Sequence, residues 1–437
     1  MKVLINVLLI FFLVIPLSGF SQRHLTWEDA KEILINNNID LKQGLLKELI
    51  AKNNIDLAKS NIYPNLTFGS NNQHTMGLVF DPVSGKLITG NQWSSYATGS
   101  LNTSLVVYQG GQNRQLIEAE KVNFEITKLD NKKLLQELEL QLLSFYSQVL
   151  VNRDLLKAAQ SQLLLSTEQI KHEEMLVKIG KHTLMDMAQA KVKFANDNLN
   201  LVTIKNAFEI AILKLKEILN LTESEEIELE SPKEEDYEFL VNTFDTNLDL
   251  YIVSIDRLLT LQDLKIKIAK SSLYPKLTFN GSYGTNYSSQ RQNIFNGQTI
   301  PFWEQLNQNR TLYGNFTLSI SIFDGFKTKS NLNSAKLNKQ SLIYEREKLL
   351  MNRKHIHTQA TLDYQAAEEE LKAVEATHEA NKINYEVINK RYEIGKSSSI
   401  DLYKVMTEFS MSEFRLITSR YKLFQKKKSI QIMNGQM

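Results

Sequence analysis

Two kinds of hydrophobic spacing alternate along this chain. In the stretch "GNFTLSISIF", Phe316, Leu318, Ile320 and Ile322 fall on one parity and Asn315, Thr317, Ser319 and Ser321 on the other. A period of two predicts a strand with one apolar face. "LTFNGSYGTNY" repeats the pattern, with Leu277, Phe279, Tyr283 and Tyr287 set against Thr278, Asn280, Ser282 and Asn286. An earlier pair is weaker. Leu101, Thr103, Leu105 and Val107 make one face, but Val106 interrupts the polar side, and the strand after Pro64 has only Leu66 and Phe68 as clear apolar members. Strand pairs are predicted at about residues 65–76 and 95–108, and again at about 276–288 and 311–323.

Elsewhere the spacing is helical. No glycine or proline interrupts Gln112 to Ile179, and none interrupts Lys327 to Ile394. At ~1.5 Å per residue such runs reach on the order of 100 Å. Leu135, Leu138, Leu142, Phe145 and Val149 step by three and four, and a second seam of Leu140, Leu143, Ser147 and Leu150 runs beside them. Two adjacent heptad-like seams let a helix meet a neighbour on both sides, as in a hollow tube. An ordinary bundle with a wide apolar stripe is the alternative. A further helix is predicted to open at Thr26, with Asp29 at capping-box spacing. It is predicted to run to Pro64, because the residue before a proline is pushed toward extended geometry.

The order of elements is written twice. "LAKSNIYPNLTFGS" begins at Leu57 and "IAKSSLYPKLTFNGS" at Ile268. Ile39-Asp40-Leu41 returns as Leu248-Asp249-Leu250, "VVYQGG" at Val106 as "SIFDGF" at Ser321, and "IGKHTLMD" at Ile179 as "IGKSSSID" at Ile394. Four landmarks in one order at nearly constant spacing predict an internal duplication. The first repeat is placed at 22–220, an acidic solvated linker containing Pro232 at 221–245, and the second repeat at 246–437. Tyr63-Pro64 and Tyr274-Pro275 then read as hinges where helix turns directly into strand. Gly180 and Gly395 read as breaks where one helix ends and the next begins, since glycine accepts left-handed geometry cheaply.

Composition narrows the chemistry. Six prolines and seventeen glycines in 437 residues suit long uninterrupted elements. A formal net charge of +2 gives no reason to expect nucleic acid. With no cysteine, disulfides, thiolate metal sites and a thiol nucleophile are excluded. His355 and His357 do not share a helix face, so no metal site is expected there. No phosphate loop, catalytic carboxylate pair or Ser-His-Asp set emerges, so neither an enzyme nor a cofactor is expected. Lys2, the apolar run Val3 to Leu17 and the small-x-small site Gly19-Phe20-Ser21 read as a signal peptide over 1–21.

Alternating strands fit either a soluble sandwich or an outer-membrane barrel, and the long helices favour the barrel. Each repeat supplies two strands and the chain four. Four strands cannot close, and an open edge cannot persist in lipid. Two chains would give eight strands, which side chains just fill. A passage therefore needs at least three chains, most simply a homotrimer of twelve strands continued by a helical tube.

The ordered set of the "LTWEDAKEILINNNIDL" opening, the twin Tyr-Pro hinges, the aromatic-x-Gly strand exits and the paired "IGK…D" breaks resembles the TolC-type outer-membrane efflux proteins. The resemblance spans essentially the whole mature chain. It implies a mixed α and β membrane protein: a trimeric β-barrel in the outer membrane and a long periplasmic α-helical barrel. The partners implied are outer-membrane lipid, a periplasmic adaptor and an inner-membrane pump. The function implied is a passive exit duct for small molecules or peptides, in tripartite efflux or type I secretion. A secreted coiled-coil structural or adhesion protein without a pore is the alternative. By the same resemblance, Gly180, Lys181, Gly395 and Lys396 mark tips where the adaptor docks. Asp401 matches an acid ring at the constriction, and Lys404 stands where the family has a second acid. Ser397 stands where it often has arginine. Tyr392 matches a tyrosine that the closed state links to an acid, here Asp186.

Overall fold

The computed structural model describes residues 23–232 and 245–435; the leader expected over 1–21 and linker residues 233–244 lie outside the described residues. The helices are α1 (Trp27–Asn37), α2 (Ile39–Ser60), α3 (Gln112–Lys178), α4 (Leu184–Leu219), α5 (Leu250–Ser271), α6 (Phe302–Gln308), α7 (Lys327–Glu393) and α8 (Ser399–Met433). The strands are β1 (Arg23–Leu25), β2 (Thr67–Met76), β3 (Val79–Asp81), β4 (Lys86–Ile88), β5 (Trp93–Gln109), β6 (Ile227–Leu229), β7 (Lys276–Ser288) and β8 (Thr311–Ser319). Helices α3 and α7 each run 67 residues. The chain divides into two units. One takes the described residues up to Leu45, Asn131–Leu250 and those from Leu349 onward, and the other Leu46–Asp130 and Tyr251–Lys348.

The second unit holds an antiparallel sheet in the order β2-β5-β7-β8. Its register lines up apolar residues across strands. Phe68, Leu101, Tyr283 and Leu312 form one row, and Leu105, Phe279 and Phe316 another. The Phe279 and Phe316 rings pack 5.0 Å apart. The opposite face is a polar ladder. Ser282 donates to Asn102 at 2.8 Å, Asn102 to Ser100 at 3.0 Å, and Ser104 to Asn280 at 3.0 Å. Among the described residues β2 and β8 each pair on one side only, and no closed barrel is formed.

Two strand details differ from the alternation. A bulge between Val106 and Tyr108 leaves Val107 outside the ladder and brings Tyr108 opposite Leu277. Parity flips there, so Tyr108 joins the apolar face in place of Val107. Strand β8 stops at Ser319, so Ile320, Ser321, Ile322 and Phe323 follow it rather than belong to it.

The first unit holds the larger apolar core. Leu34 of α1, Leu142, Leu143 and Leu150 of α3, and Leu215 and Leu219 of α4 are fully buried. Both predicted seams of α3 turn inward, and Tyr146 sits between them, its ring edge-on to Trp27 at 5.8 Å. Burial of each such leucine contributes roughly 1.5–3 kcal/mol. The stretch read as an acidic linker contains a strand. Residues 227–229 pair in parallel with β1, and the Tyr146 hydroxyl donates to the Glu230 carbonyl at 3.0 Å.

The helix predicted from Thr26 to Pro64 is two helices. The capping box forms at Thr26 and Asp29. Asn38 then turns extended, with ψ 129°, and its Oδ1 accepts from the backbone N–H groups of Asp40 and Leu41. It ends α1 and caps α2. Helix α2 itself ends at Ser60, ahead of the proline. Bonds from Ile62 to Lys59 and from Tyr63 to Ser60 tighten its last turn.

Candidate functional site

Both tips use one backbone device. Gly180 has φ +73° and Gly395 φ +72°. After α3, Gly180 N–H donates to the Val177 carbonyl at 3.0 Å and Lys181 N–H to the Leu176 carbonyl at 2.9 Å. After α7, Gly395 N–H donates to the Tyr392 carbonyl at 2.9 Å and Lys396 N–H to the Arg391 carbonyl at 2.7 Å. These paired bonds satisfy the last carbonyls of each helix, and the left-handed residue they require costs glycine nothing. The next helix opens three residues on, through a capping box. Thr183 and Asp186 cap α4; Ser398 and Asp401 cap α8. The acids singled out from sequence therefore act locally, and each accepts from the backbone N–H and hydroxyl of its own N-cap.

The surroundings of the two acids differ. Asp186 also accepts from the Ser399 hydroxyl, which joins the start of α4 to the start of α8. Ser399 is buried and reaches Gln189 at 3.2 Å. The bonds from Ser399 and Thr183 hold the Asp186 carboxyl down at about 2. Asp401 is exposed. Ser398 lowers its pKa first, with Arg391 and Lys404 adding attraction. Lys404 is exposed, and Ser397 half-buried.

Tyr392 does not bond to Asp186 within the chain. Its hydroxyl donates to Glu173, about two helical turns before Gly180. The phase of α3 explains the change of partner. It turns Glu173 inward to complete burial while its neighbour Glu174 stays exposed. His182 Nδ1 lies 2.7 Å from the second Glu173 oxygen, and Gln169 donates to Glu173 at 3.2 Å. The Tyr403 hydroxyl stands 3.4 Å away. Burial, then the bond to Glu173, pushes the Tyr392 phenol well above its ordinary value, and burial beside the same carboxylate does so for Tyr403. Leu402 and Met406 pack around this group. Sequence reasoning alone missed Glu173 and His182. The only signal was their spacing from Gly180, which becomes informative once the helix phase is known.

Lys181 and Lys396 are exposed beside exposed apolar residues: Ile179, Leu184 and Met185 at the first turn, Ile394 and Ile400 at the second. The hinge residues Tyr63 and Tyr274 are exposed and join helix to strand. Beside Tyr274 lies Gly110, at φ +56°; a Cβ there would meet the Ser271 carbonyl at 2.8 Å and the Tyr274 side chain at 2.9 Å. Among the described residues no group of His, Asp and Glu is arranged to hold a metal ion. No described helix is long and apolar enough to cross a membrane.

The model of the outer membrane efflux protein family matches residues 32–221 and 261–436. No curated protein matches. Among solved structures, CusC aligns at a TM-score of 0.82 with 14% identity, covering 96% of this chain and 95% of its own. VceC of Vibrio cholerae aligns at 0.79 with 14% identity over 94% and 96%. The open state of MtrE of Neisseria gonorrhoeae aligns at 0.77 with 17% identity over 94% and 88%. At these identities the likeness is one of fold.

Proposed function

The chain belongs to the outer membrane efflux protein family, and from that premise we propose that three copies form a passive exit duct. Twelve strands would close a barrel in the outer membrane, and the long helices would continue it through the periplasm. The family is one of channels, not enzymes. The two halves are read as copies of one plan. The sheet carries this proposal: four strands, apolar rows on one face, a hydrogen-bonded polar ladder on the other, and two edges that pair with nothing among the described residues. In lipid those edges need a partner, and the polar ladder suits a watery lumen.

The duct would serve a tripartite efflux or type I secretion system, taking small molecules or peptides from an inner-membrane pump. The turns at Gly180-Lys181 and Gly395-Lys396 would dock the adaptor, since both present exposed apolar side chains beside a lysine. Asp186, Tyr392, Ser397, Asp401 and Lys404 would lie at the gate. Its links would run from Tyr392 to Glu173 and from Asp186 to Ser399.

Fractionation and planar-bilayer recording test the proposal together. The protein is expected in outer membranes, extracted only by detergent, sized as a trimer, and conducting. A soluble periplasmic species of any size would favour the poreless coiled-coil alternative.

A further inference from the structure

Between α6 and the apolar face of the sheet lies a cavity of about 390 Å³. Phe68, Leu101, Tyr283, Phe302 and Leu306 line it, and Arg310 is its one charged lining residue. The volume is in the range of sites that hold small molecules, roughly 300–1,000 Å³.

Bonds at several points join α6 to the sheet beside the hollow. Thr285, on the apolar face of β7, donates to the Leu306 carbonyl at 2.7 Å. Asn309 donates to the Asn286 carbonyl at 2.8 Å. Gln305, fully buried, accepts from Ser288 N–H at 3.0 Å and donates to the Ser288 and Ile300 carbonyls at 2.9 and 2.8 Å. The Tyr287 and Phe302 rings meet edge-on at 5.0 Å. Helix α6 is thus fixed against the sheet at several points.

Position and charge define what fits. Helix α6 lies in the connection from β7 to β8, at the end of the sheet opposite the attachments of α2, α3, α5 and α7. If those helices are periplasmic, the hollow faces the outer leaflet. Its walls are apolar and suit an acyl chain. Arg310 donates through Nε to the Asn307 carbonyl at 3.0 Å, and among the described residues no carboxylate pairs with it. A guanidinium so placed presents its remaining N–H groups as a fork for phosphate oxygens.

We propose that this hollow binds a phosphorylated, acylated lipid of the outer leaflet, with an acyl chain under α6 and a phosphate on Arg310. The proposal rests on the reading above that the apolar face meets lipid.

Native mass spectrometry of the delipidated, detergent-solubilised full assembly tests it, with lipid A as probe and phosphatidylethanolamine and inorganic phosphate as comparisons. Wild type is expected to retain lipid A through gas-phase activation, and to prefer it at least tenfold over either comparison. Arg310→Gln is expected to lose that preference, and Leu306→Trp, which fills the hollow, to lose binding. Trp303→Ala, exposed and outside the lining, is expected to bind as wild type does. Wild type that takes up no lipid A overturns the proposal, whatever the variants do. So does equal occupancy in wild type and Arg310→Gln. Variants that change subunit number instead of lipid occupancy would assign the hollow to packing between copies and also overturn it. An assembly that conducts and fractionates as an outer-membrane trimer yet binds no lipid A refutes this site alone. A soluble protein refutes both readings.

Discussion

The two glycine turns share a backbone and differ in what stands behind it. Each ends a 67-residue helix on a left-handed glycine and opens the next with a capping box. Behind the first turn lies a buried carboxylate with donors from two helices. The second has an exposed aspartate that serves its own cap. Local sequence builds the turn; tertiary packing decides whether it is anchored. The two turns are also tied to each other, since Tyr392, just before Gly395, reaches Glu173 and Ser399, just after it, reaches Asp186. In a proposed gate these links would hold both turns, with the carboxylate end lying behind the first.

Glu173→Ala is the strongest way to break this contrast. It leaves the Tyr392 hydroxyl and the Gln169 amide without their acceptor. At roughly 1–3 kcal/mol for each unsatisfied buried group, the loss is on the order of 3 kcal/mol. Asp401→Ala removes only a cap, about 1 kcal/mol. Hydrogen exchange of amides 176–183 in the intact assembly should accelerate sharply in the first variant and stay unchanged in the second. Equal exchange in both would mean the buried carboxylate anchors nothing.

The backbone half of the comparison predicts equality. No atom lies within 4 Å of a Cβ built at Gly180 or Gly395, so Gly→Ala at either should cost only the left-handed strain. That is about 1–2 kcal/mol. Local opening energies from hydrogen exchange that differ by more than about 1 kcal/mol between the two variants would show that the turns are not equivalent.

Tyr392→Phe deletes a single donor and keeps the other partners of Glu173. The expected loss is about 1.5 kcal/mol, the low end for a bond to a carboxylate that keeps other donors, read as a modest rise in single-channel conductance at matched expression. A rise as large as that of Glu173→Ala would place the whole link in the tyrosine.

The smallest effect is a shift in pH. The folded pKa of Asp186, about 2, lies below the ordinary 3.8. Its contribution is therefore complete above about 3.8 and lost as pH falls through about 2, so neutral and mildly acidic media should leave the contact intact. Ser399→Ala removes the largest cause of the depression and should move the loss upward toward 3.8. Ser397→Ala should not. Exchange at amides 183–189 followed from about pH 5 to about pH 2 separates them; identical profiles for wild type and Ser399→Ala would detach Ser399 from Asp186.

Local signals were legible and phase was not. Thr26-x-x-Asp29 announces a helix start because a cap is made within four residues. Thr183-x-x-Asp186 and Ser398-x-x-Asp401 carry the same spacing, but the family resemblance points their acids to the gate, and their capping role emerges only in the structure. The alternation around Phe316 announces a strand because both faces of a strand are written in one segment. The bulge at Val107 was hidden, since a bulge exists only against a partner's register. Asn38 was hidden because asparagine in "INNNID" breaks a helix only when its side chain finds the next N–H groups, as it does at Asp40 and Leu41. Glu173 and Glu174 are identical letters, and only the packing of α3 separates the buried one from the exposed one.

In the proposed trimeric duct, the margins of β2 and β8, which pair with nothing further among the described residues, make completion of the barrel a matter of encounter. A lone chain in lipid is a fragment with two rows of amide and carbonyl groups and no water to satisfy them. Insertion and association then become a single kinetic event whose order exceeds one, and yield depends steeply on how many chains arrive together. Slow synthesis would not make fewer channels in proportion; it would leave chains waiting for the neighbours that finish their sheet.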